Sequence, residues 1–446
     1  MDIVGLIPTF GSVFFTIAAF VVALSIIVAV HEYGHYIVGR WSGIHAEVFS
    51  IGFGPVLFSR VDRRGTRWQV AALPFGGYVK FLGDADAASL RDSPDVEGMD
   101  ADARRHTMHG APLWARSATV AAGPLFNFAL SILVFAGFFF VSGVGTERPV
   151  VGELKPLPET IAHDVRPGDV IVAVEDMATP DNSAFFAAIA DLEPSETVRY
   201  RVLRDGSERE LLGPFPQPPL AASVQPQSAA RDVDMRAGDV VLSVDGDPIA
   251  AFSELRDKVA ESDGQPLLLE IWREGETFEV ALVPRRVDLP LAEGGFETRW
   301  LIGLGGGLFF EAETRRPGPG EALLIGVDRT WFIATTSLSG LWHIVTGAIS
   351  SCNLRGPIGI AETSGAMAAD GLSSFIWFIA VLSTAVGLLN LFPIPILDGG
   401  HLVFHAWEAV TGRPPSDRAL QVLMAVGLAL IATLMVFAIG NDLFCP

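Results

Sequence analysis

Phe20-Val-Val-Ala-Leu-Ser-Ile-Ile-Val-Ala-Val-His-Glu-Tyr-Gly-His35 puts His31, Glu32 and His35 at the C-terminal end of an apolar run that begins near Phe10. A run of about 20 apolar residues is long enough to cross the hydrocarbon layer as a helix. Residues four apart share one helix face, so both imidazoles project together from a segment expected to lie in lipid. Ionisable groups at that depth cost about 2–3 kcal/mol or more when charged, and they usually mark function. Histidines at i and i+4 can hold one Zn²⁺, and a glutamate beside the first can accept a proton from water at the metal without ligating it. The alternative is a pair of helix-end residues snorkelling to water.

Three more stretches qualify as spans: Ser117–Val141, Leu372–Phe392 and Ala419–Ile439. The first run lacks a basic leader and a small-residue cleavage site, so it reads as a retained helix and not a signal peptide. The 446 residues are 50% hydrophobic yet 18% charged, which implies spans plus a water-soluble module. That module is Glu147–Arg316, with 32 acidic and 17 basic residues. Such an acidic excess disfavours nucleic-acid binding. Short-loop basic residues cluster between the first two spans (Arg40, Arg60, Arg63, Arg64, Arg67, Lys80 and others), and Arg413 and Arg418 lie between the last two. Basic residues stay cytoplasmic, so both termini and the acidic module are expected to face away from the cytoplasm.

Glu47–Leu82 shows alternation (Val48, Phe49, Ile51, Phe53; Trp68, Val70, Ala72) and many glycines, which predicts β-hairpins near the membrane surface. Asp84–Gly110 is polar and acidic with little periodicity and reads as a linker. Inside the acidic module, Arg166-Pro-Gly-Asp-Val-Ile-Val-Ala-Val-Glu175 recurs as Arg236-Ala-Gly-Asp-Val-Val-Leu-Ser-Val-Asp245. Each copy predicts a Gly-Asp turn opening a strand, an amphipathic helix (Asn182–Leu192, Ala251–Glu261) and an alternating strand (Val198–Arg204, Leu267–Arg273). The repeat resembles tandem PDZ domains. Thr330–Ile349 fits an interfacial amphipathic helix better than a fifth span.

A catalytic zinc takes three protein ligands and an open position. The best third candidate is Asp398, in Asn390-Leu-Phe-Pro-Ile-Pro-Ile-Leu-Asp-Gly-Gly400, at the cytoplasmic end of the third span. Pro393 and Pro395 interrupt the helix, and Gly399 and Gly400 permit a sharp turn. Irregular backbone at membrane depth is tolerated where protein or a water cavity satisfies it. The competing reading has Asp398 merely capping the next helix. His401 and His405 form another i, i+4 pair but lack a neighbouring base, and His106 and His109 read as solvated. Cys352 and Cys445 imply no disulfide framework or cysteine metal site. Two rivals stay open: a membrane metallopeptidase with a glutamate as third ligand, and an inactive scaffold presenting PDZ-like domains.

His31–His35, Pro74-Phe-Gly-Gly-Tyr-Val-Lys80, Ala122-Gly-Pro-Leu-Phe-Asn-Phe128, Arg355-Gly-Pro-Ile-Gly359 and Asn390–Gly400 occur in the order found in a known family. On these motifs the chain resembles the site-2 protease family of intramembrane zinc metalloproteases, in particular the bacterial regulator-of-sigma-E protease group. The resemblance implies His31, His35 and Asp398 as zinc ligands and Glu32 as catalytic base. Asn390, with Pro393 and Pro395, would hold the substrate strand near the metal. It also implies transmembrane proteins as substrates, among them anti-sigma factors and remnant signal peptides, cut in the bacterial inner membrane after prior trimming.

The expected fold is a polytopic α-helical membrane protein of four transmembrane helices, with a membrane-associated β-hairpin region and two tandem PDZ-like α+β domains. Residues 1–42 form the first transmembrane helix, 43–82 the re-entrant hairpin region and 83–111 a polar cytoplasmic linker. The second transmembrane helix falls at 112–146, and PDZ-like domains at 147–218 and 219–290. A post-PDZ region with interfacial helices occupies 291–371. The third transmembrane helix and Leu-Asp-Gly-Gly take 372–400, and a short helix with the fourth takes 401–446. Oligomeric state is not readable from the sequence.

Overall fold

The computed structural model describes residues 6–84, 98–159, 161, 163–290 and 296–445. In chain order it forms α1 (Leu6–Trp41), strands β1 (Ala46–Val61) and β2 (Arg67–Phe81), α2 (Ala101–Arg105) and α3 (Leu113–Ser142). Then follow α4 (Asn182–Asp191), α5 (Ala229–Asp232), α6 (Phe252–Glu261), α7 (Pro319–Val345), α8 (Pro357–Ala369), α9 (Leu372–Asn390), α10 (Asp398–Thr411) and α11 (Asp417–Phe444). Among the described residues, four helices are long and apolar enough to cross a membrane: Val13–Trp41, Leu113–Ser142, Leu372–Asn390 and Arg418–Phe444. Phe14, Leu133, Val426 and Val436 on these helices are exposed, an outward apolar face suited to lipid and not to water. The first helix ends at Trp41, within the expected 1–42, and the chain turns at Gly43, whose φ is +86°. α7 extends well N-terminal of the expected Thr330 and is not among the four.

Two compact units result. The first comprises Met1–Phe138, Pro319–Trp342 and Leu354–Cys445. Its β1 is antiparallel to β2 in an unusual way: Val48–Ile51 is flanked by Arg67–Val70 on one side and Gly77–Lys80 on the other, while Val56–Val61 returns along Arg67–Ala71. The bend falls at Gly52 and Gly54, with φ of +90° and +84°, and a Cβ at Gly52 would lie 2.8 Å from the Leu73 carbonyl. Only glycine takes this conformation cheaply. Further along, the Arg355–Gly359 motif starts α8. Asp442 of α11 accepts hydrogen bonds from the main-chain N–H of Gly356 (2.8 Å), Ile358 (3.0 Å) and Gly359 (3.1 Å), so a carboxylate from a distant helix caps α8.

The linker expected at 83–111 is only partly described, since 85–97 lie outside the described residues. Its second half is structured: Asp100 caps α2, and Thr107, Met108 and Ala111 are buried. His106 is exposed but its Nδ1 lies 2.6 Å from the Gly43 carbonyl, so it is not merely solvated.

The second unit, Phe139–Gly318 with His343–Asn353, contains the repeat. Each copy builds a four-stranded antiparallel sheet, ordered Met177–Ala178, Val170–Val174, Val198–Arg204, Ser207–Gly213 in the first and Asp247–Pro248, Val240–Val244, Leu267–Arg273, Glu276–Leu282 in the second. α4 and α6 cover separate cores, Phe185 and Tyr200 in one, Leu255 and Leu269 in the other. The repeated Gly-Asp has a shared physical purpose. Asp169 and Asp239 are buried, each receives the N–H three residues before it, and each is gripped by an arginine on the alternating strand. Arg204 Nε lies 2.6 Å from Asp169 and Arg273 Nε 2.6 Å from Asp239.

The expected boundary at 290 cuts through these modules. Leu304–Gly306 pairs with Ala221–Val224, and Phe310–Ala312 with Val151–Leu154, and Phe309 and Phe310 are buried in the first core. Residues that return from beyond the second module thus complete both. Neither cysteine is a free thiol, which the sequence alone gave no reason to expect.

Candidate metal centre

Two elements of the first unit bring three side chains to one point. His31 and His35 lie one turn apart on α1, and Asp398 is the first residue of α10. His31 Nε2 is 3.1 Å from His35 Nε2. Asp398 Oδ2 is 3.1 Å from the first and 3.5 Å from the second. It is buried without a hydrogen bond. His35 Nδ1 lies 2.8 Å from the Thr119 carbonyl, which can only accept. His35 therefore carries its proton on Nδ1 and turns a lone pair inward. His35 Nε2 and Asp398 Oδ2 are then acceptors facing one another with His31 Nε2 beside them, an arrangement that is costly unless a cation sits among them. Tetrahedral zinc ligands at ordinary bond lengths lie about 3.3 Å apart, and the observed spacings bracket that value. The donor set fits Zn²⁺.

Asp398 is delivered by the turn after α9. Cβ atoms at Gly399 and Gly400 would lie 2.3 Å from the carbonyls of Leu391 and Ile394 respectively, so both must be glycine for the chain to fold back this tightly. The N-cap of α10 is Leu397, not Asp398, so its carboxylate is not used as a cap. α3 forms the floor. Gly123 faces the imidazoles: a Cβ there would be 2.3 Å from His35 Nε2 and 2.8 Å from His31 Cε1. Asn127 Nδ2 reaches to 3.1 Å from His31 Nδ1.

A cavity of about 290 Å³ surrounds the trio. It is lined by Glu32, by Gly77, Tyr78 and Val79 of β2, and by Asn390. A Cβ at Gly77 would lie 3.0 Å from Glu32 Cγ, so this glycine lets the sheet edge approach Glu32. Pro393 and Pro395 do not line the cavity; Pro395 packs against Gly400 and Gly427 and shapes the turn. His401, His405 and His109 do line it, His109 while exposed, as expected of a solvated residue. At this end Arg116 of α3 grips Glu408 of α10 through two bonds, 2.6 and 3.1 Å, and Ser117 Oγ lies 3.2 Å from His405 Nδ1. Burial first, then the Arg116 guanidinium, pushes His405 down to about 4, leaving it neutral.

Thr119, Gly123, Asn127, Arg116 and Glu408 have no site role legible in the sequence. Gly123 and Asn127 belong to the Ala122–Phe128 motif, which signalled importance without saying why; Arg116 counted only as a loop charge, and Thr119 and Glu408 carried no signal.

The model of peptidase family M50 matches residues 19–434. A protein described as a zinc metalloprotease from Rhizobium meliloti is 38% identical over 96% of this chain and 96% of its own. The regulator of sigma-E protease RseP of Escherichia coli is 32% identical over 96% of this chain and 98% of its own. The PDZ domain of an SdrC-like protein from Listeria monocytogenes aligns with 20% of this chain and 84% of its own, at 19% identity and a TM-score of 0.17, too slight a likeness to assign either module.

The chain belongs to peptidase family M50. It is a membrane-embedded, zinc-dependent metalloprotease of the site-2 type.

Proposed function

We propose that His31, His35 and Asp398 are the zinc ligands, that Glu32 is the catalytic base, and that the enzyme cuts within transmembrane segments of single-span proteins already trimmed outside the membrane. The observation that carries this reading is the convergence of three partly buried ligand-type atoms, 3.1–3.5 Å apart, in the same cavity as Glu32. Bound Zn²⁺ supplies a Lewis acid that lowers the pKa of water and polarises the scissile carbonyl. Glu32 takes the proton from the attacking water and passes it to the departing amine, so water and peptide bond become carboxylate and ammonium. Glu32→Gln should keep zinc and lose cleavage; near-normal cleavage would remove Glu32 from this role.

A peptide bond in a helix must be unwound before it is cut, and its freed N–H and C=O groups need partners away from water. Gly77–Lys80 pairs on one side only, among the described residues, and Gly77, Tyr78 and Val79 border the cavity. The strand's other edge suits backbone addition by an unwound substrate, with the hairpin re-entering the membrane and Asn390 holding the strand. Substrate helices should then be weak, with glycine or polar residues. Val79→Pro, which distorts the edge, should abolish cleavage while zinc content holds.

The two repeat modules, read as PDZ-like, and both termini lie outside the cytoplasm on the charge rule. The relatives named for sigma-E regulation support anti-sigma factors as substrates. Remnant signal peptides fit the same single-span chemistry. The modules exclude untrimmed substrates. Removal of residues 147–316 should permit cleavage of a full-length substrate that the intact enzyme refuses; loss of all cleavage would instead mean recruitment.

A further inference from the structure

We propose that Asn127 is a positioning residue for the metal centre: its side-chain oxygen accepts the Nδ1 proton of His31 and so fixes the tautomer that leaves Nε2 for zinc. This rests on His31 being a ligand. The two histidines are not held alike. His35 is settled by a carbonyl, which can only accept. His31 Nδ1 meets a side-chain amide instead, and an amide can either donate or accept there.

With Nε2 committed to a cation, His31 must carry its proton on Nδ1 and needs an acceptor, as metal-bound histidines usually have. Asn127 is fully buried, its Nδ2 is 3.1 Å from His31 Nδ1, and its Oδ1 is buried without a hydrogen bond. A half-turn of the amide exchanges these atoms without moving the backbone and brings the oxygen onto Nδ1. The residue is braced for this task. Ser383 of α9 and Ser131 of α3 donate to the Asn127 carbonyl at 2.9 and 3.1 Å. Ser131 Oγ also lies 2.8 Å from the Ala380 carbonyl. A Cβ at Gly387 would come 3.1 Å from Asn127 Cβ, so α9 closes tightly over it. The α3–α9 seam therefore ends on the imidazole that α1 offers to the metal, and α9 leads directly to the turn bearing Asp398.

The test is zinc affinity of the purified full chain in detergent, measured by competition with a chelator. Asn127→Leu should weaken binding by about 10–100-fold. Asn127→Asp should bind at least as tightly as wild type, because a carboxylate can only accept. Ser383→Ala, which removes a brace but not the side-chain contact, should stay within a few-fold of wild type. Wild-type affinity in Asn127→Leu, or a tenfold loss in Asn127→Asp, overturns the proposal; the second result decides even where Asn127→Leu does not fold. His31→Ala separates the two levels. If it binds zinc as wild type does, the ligand assignment itself is wrong; if it loses zinc while Asn127→Leu does not, only the role of Asn127 falls.

Discussion

His35 Nδ1 lies 2.8 Å from the main-chain oxygen of Thr119, on a different helix and 84 positions along the chain. That contact holds the ring of a histidine on a membrane helix with its Nδ1 proton outward and Nε2 toward Asp398. It also shows how the centre is built, since α3 bears none of His31, His35 and Asp398 yet fixes the imidazoles that α1 presents.

Gly123→Ala tests this floor. The added methyl would sit 2.3 Å from His35 Nε2, and the imidazole has to move. A displacement of about 1 Å costs on the order of 100-fold in rate. Zinc content and cleavage of a tagged single-span substrate, measured on the same preparation, should both fall; an unchanged rate would mean that α3 does not hold the histidines.

The Arg116–Glu408 pair joins α3 to the helix that begins with Asp398. Both side chains are largely buried, and breaking such a pair costs about 3–5 kcal/mol. Glu408→Ala should therefore lower both the unfolding barrier and zinc affinity. The exchange Arg116→Glu with Glu408→Arg should recover part of each. Failure of the exchange with intact folding would leave the pair without a role at the metal.

Asp169 ties the first repeat module together. Burial alone would raise its carboxyl, but the Arg204 side chain and the Arg166 N–H outweigh that and hold it below its ordinary value. A carboxyl lowered on folding contributes stability above its unfolded value, about 3.9, and that contribution disappears as pH falls through the folded one. Pulse proteolysis should show the module weakening below about pH 4. Asp169→Asn should cost about 2 kcal/mol at neutral pH, less than a fully buried pair because the Arg204 rim is wet, and should flatten that acid dependence.

Asp442→Ala should unfasten α8. Three N–H groups lose their acceptor, at about 1–2 kcal/mol by analogy with side-chain caps. Hydrogen exchange at Ile358 and Gly359 should quicken while the core of α11 stays protected.

Much of this was legible in the sequence because it is local. Apolar runs locate four spans, the Gly-Asp repeats locate two modules, and the strands Val198–Arg204 and Leu267–Arg273 fall where alternation puts them. The meeting of His31, His35 and Asp398 was expected from ligand chemistry and from breaks in helical sequence, and the structure brings the three together. What was hidden depends on which surfaces meet. Asp169 and Arg204 are 35 residues apart and nothing local pairs them. Asn127 is a polar residue in a helix until the crossing of α1 and α3 brings His31 to it. The doubled pairing of Val48–Ile51 needs the Gly52–Gly54 bend, whereas alternation alone describes a plain hairpin. Phe309 and Phe310 look like the start of the next region until they are seen in the first module's core.

The proposal that α1 and α10 jointly hold one metal ion is decided by metal analysis of the purified wild type, Glu32→Gln and Asp398→Asn. About one zinc per chain is expected in the first two and little in the third. Wild-type zinc in Asp398→Asn would contradict it.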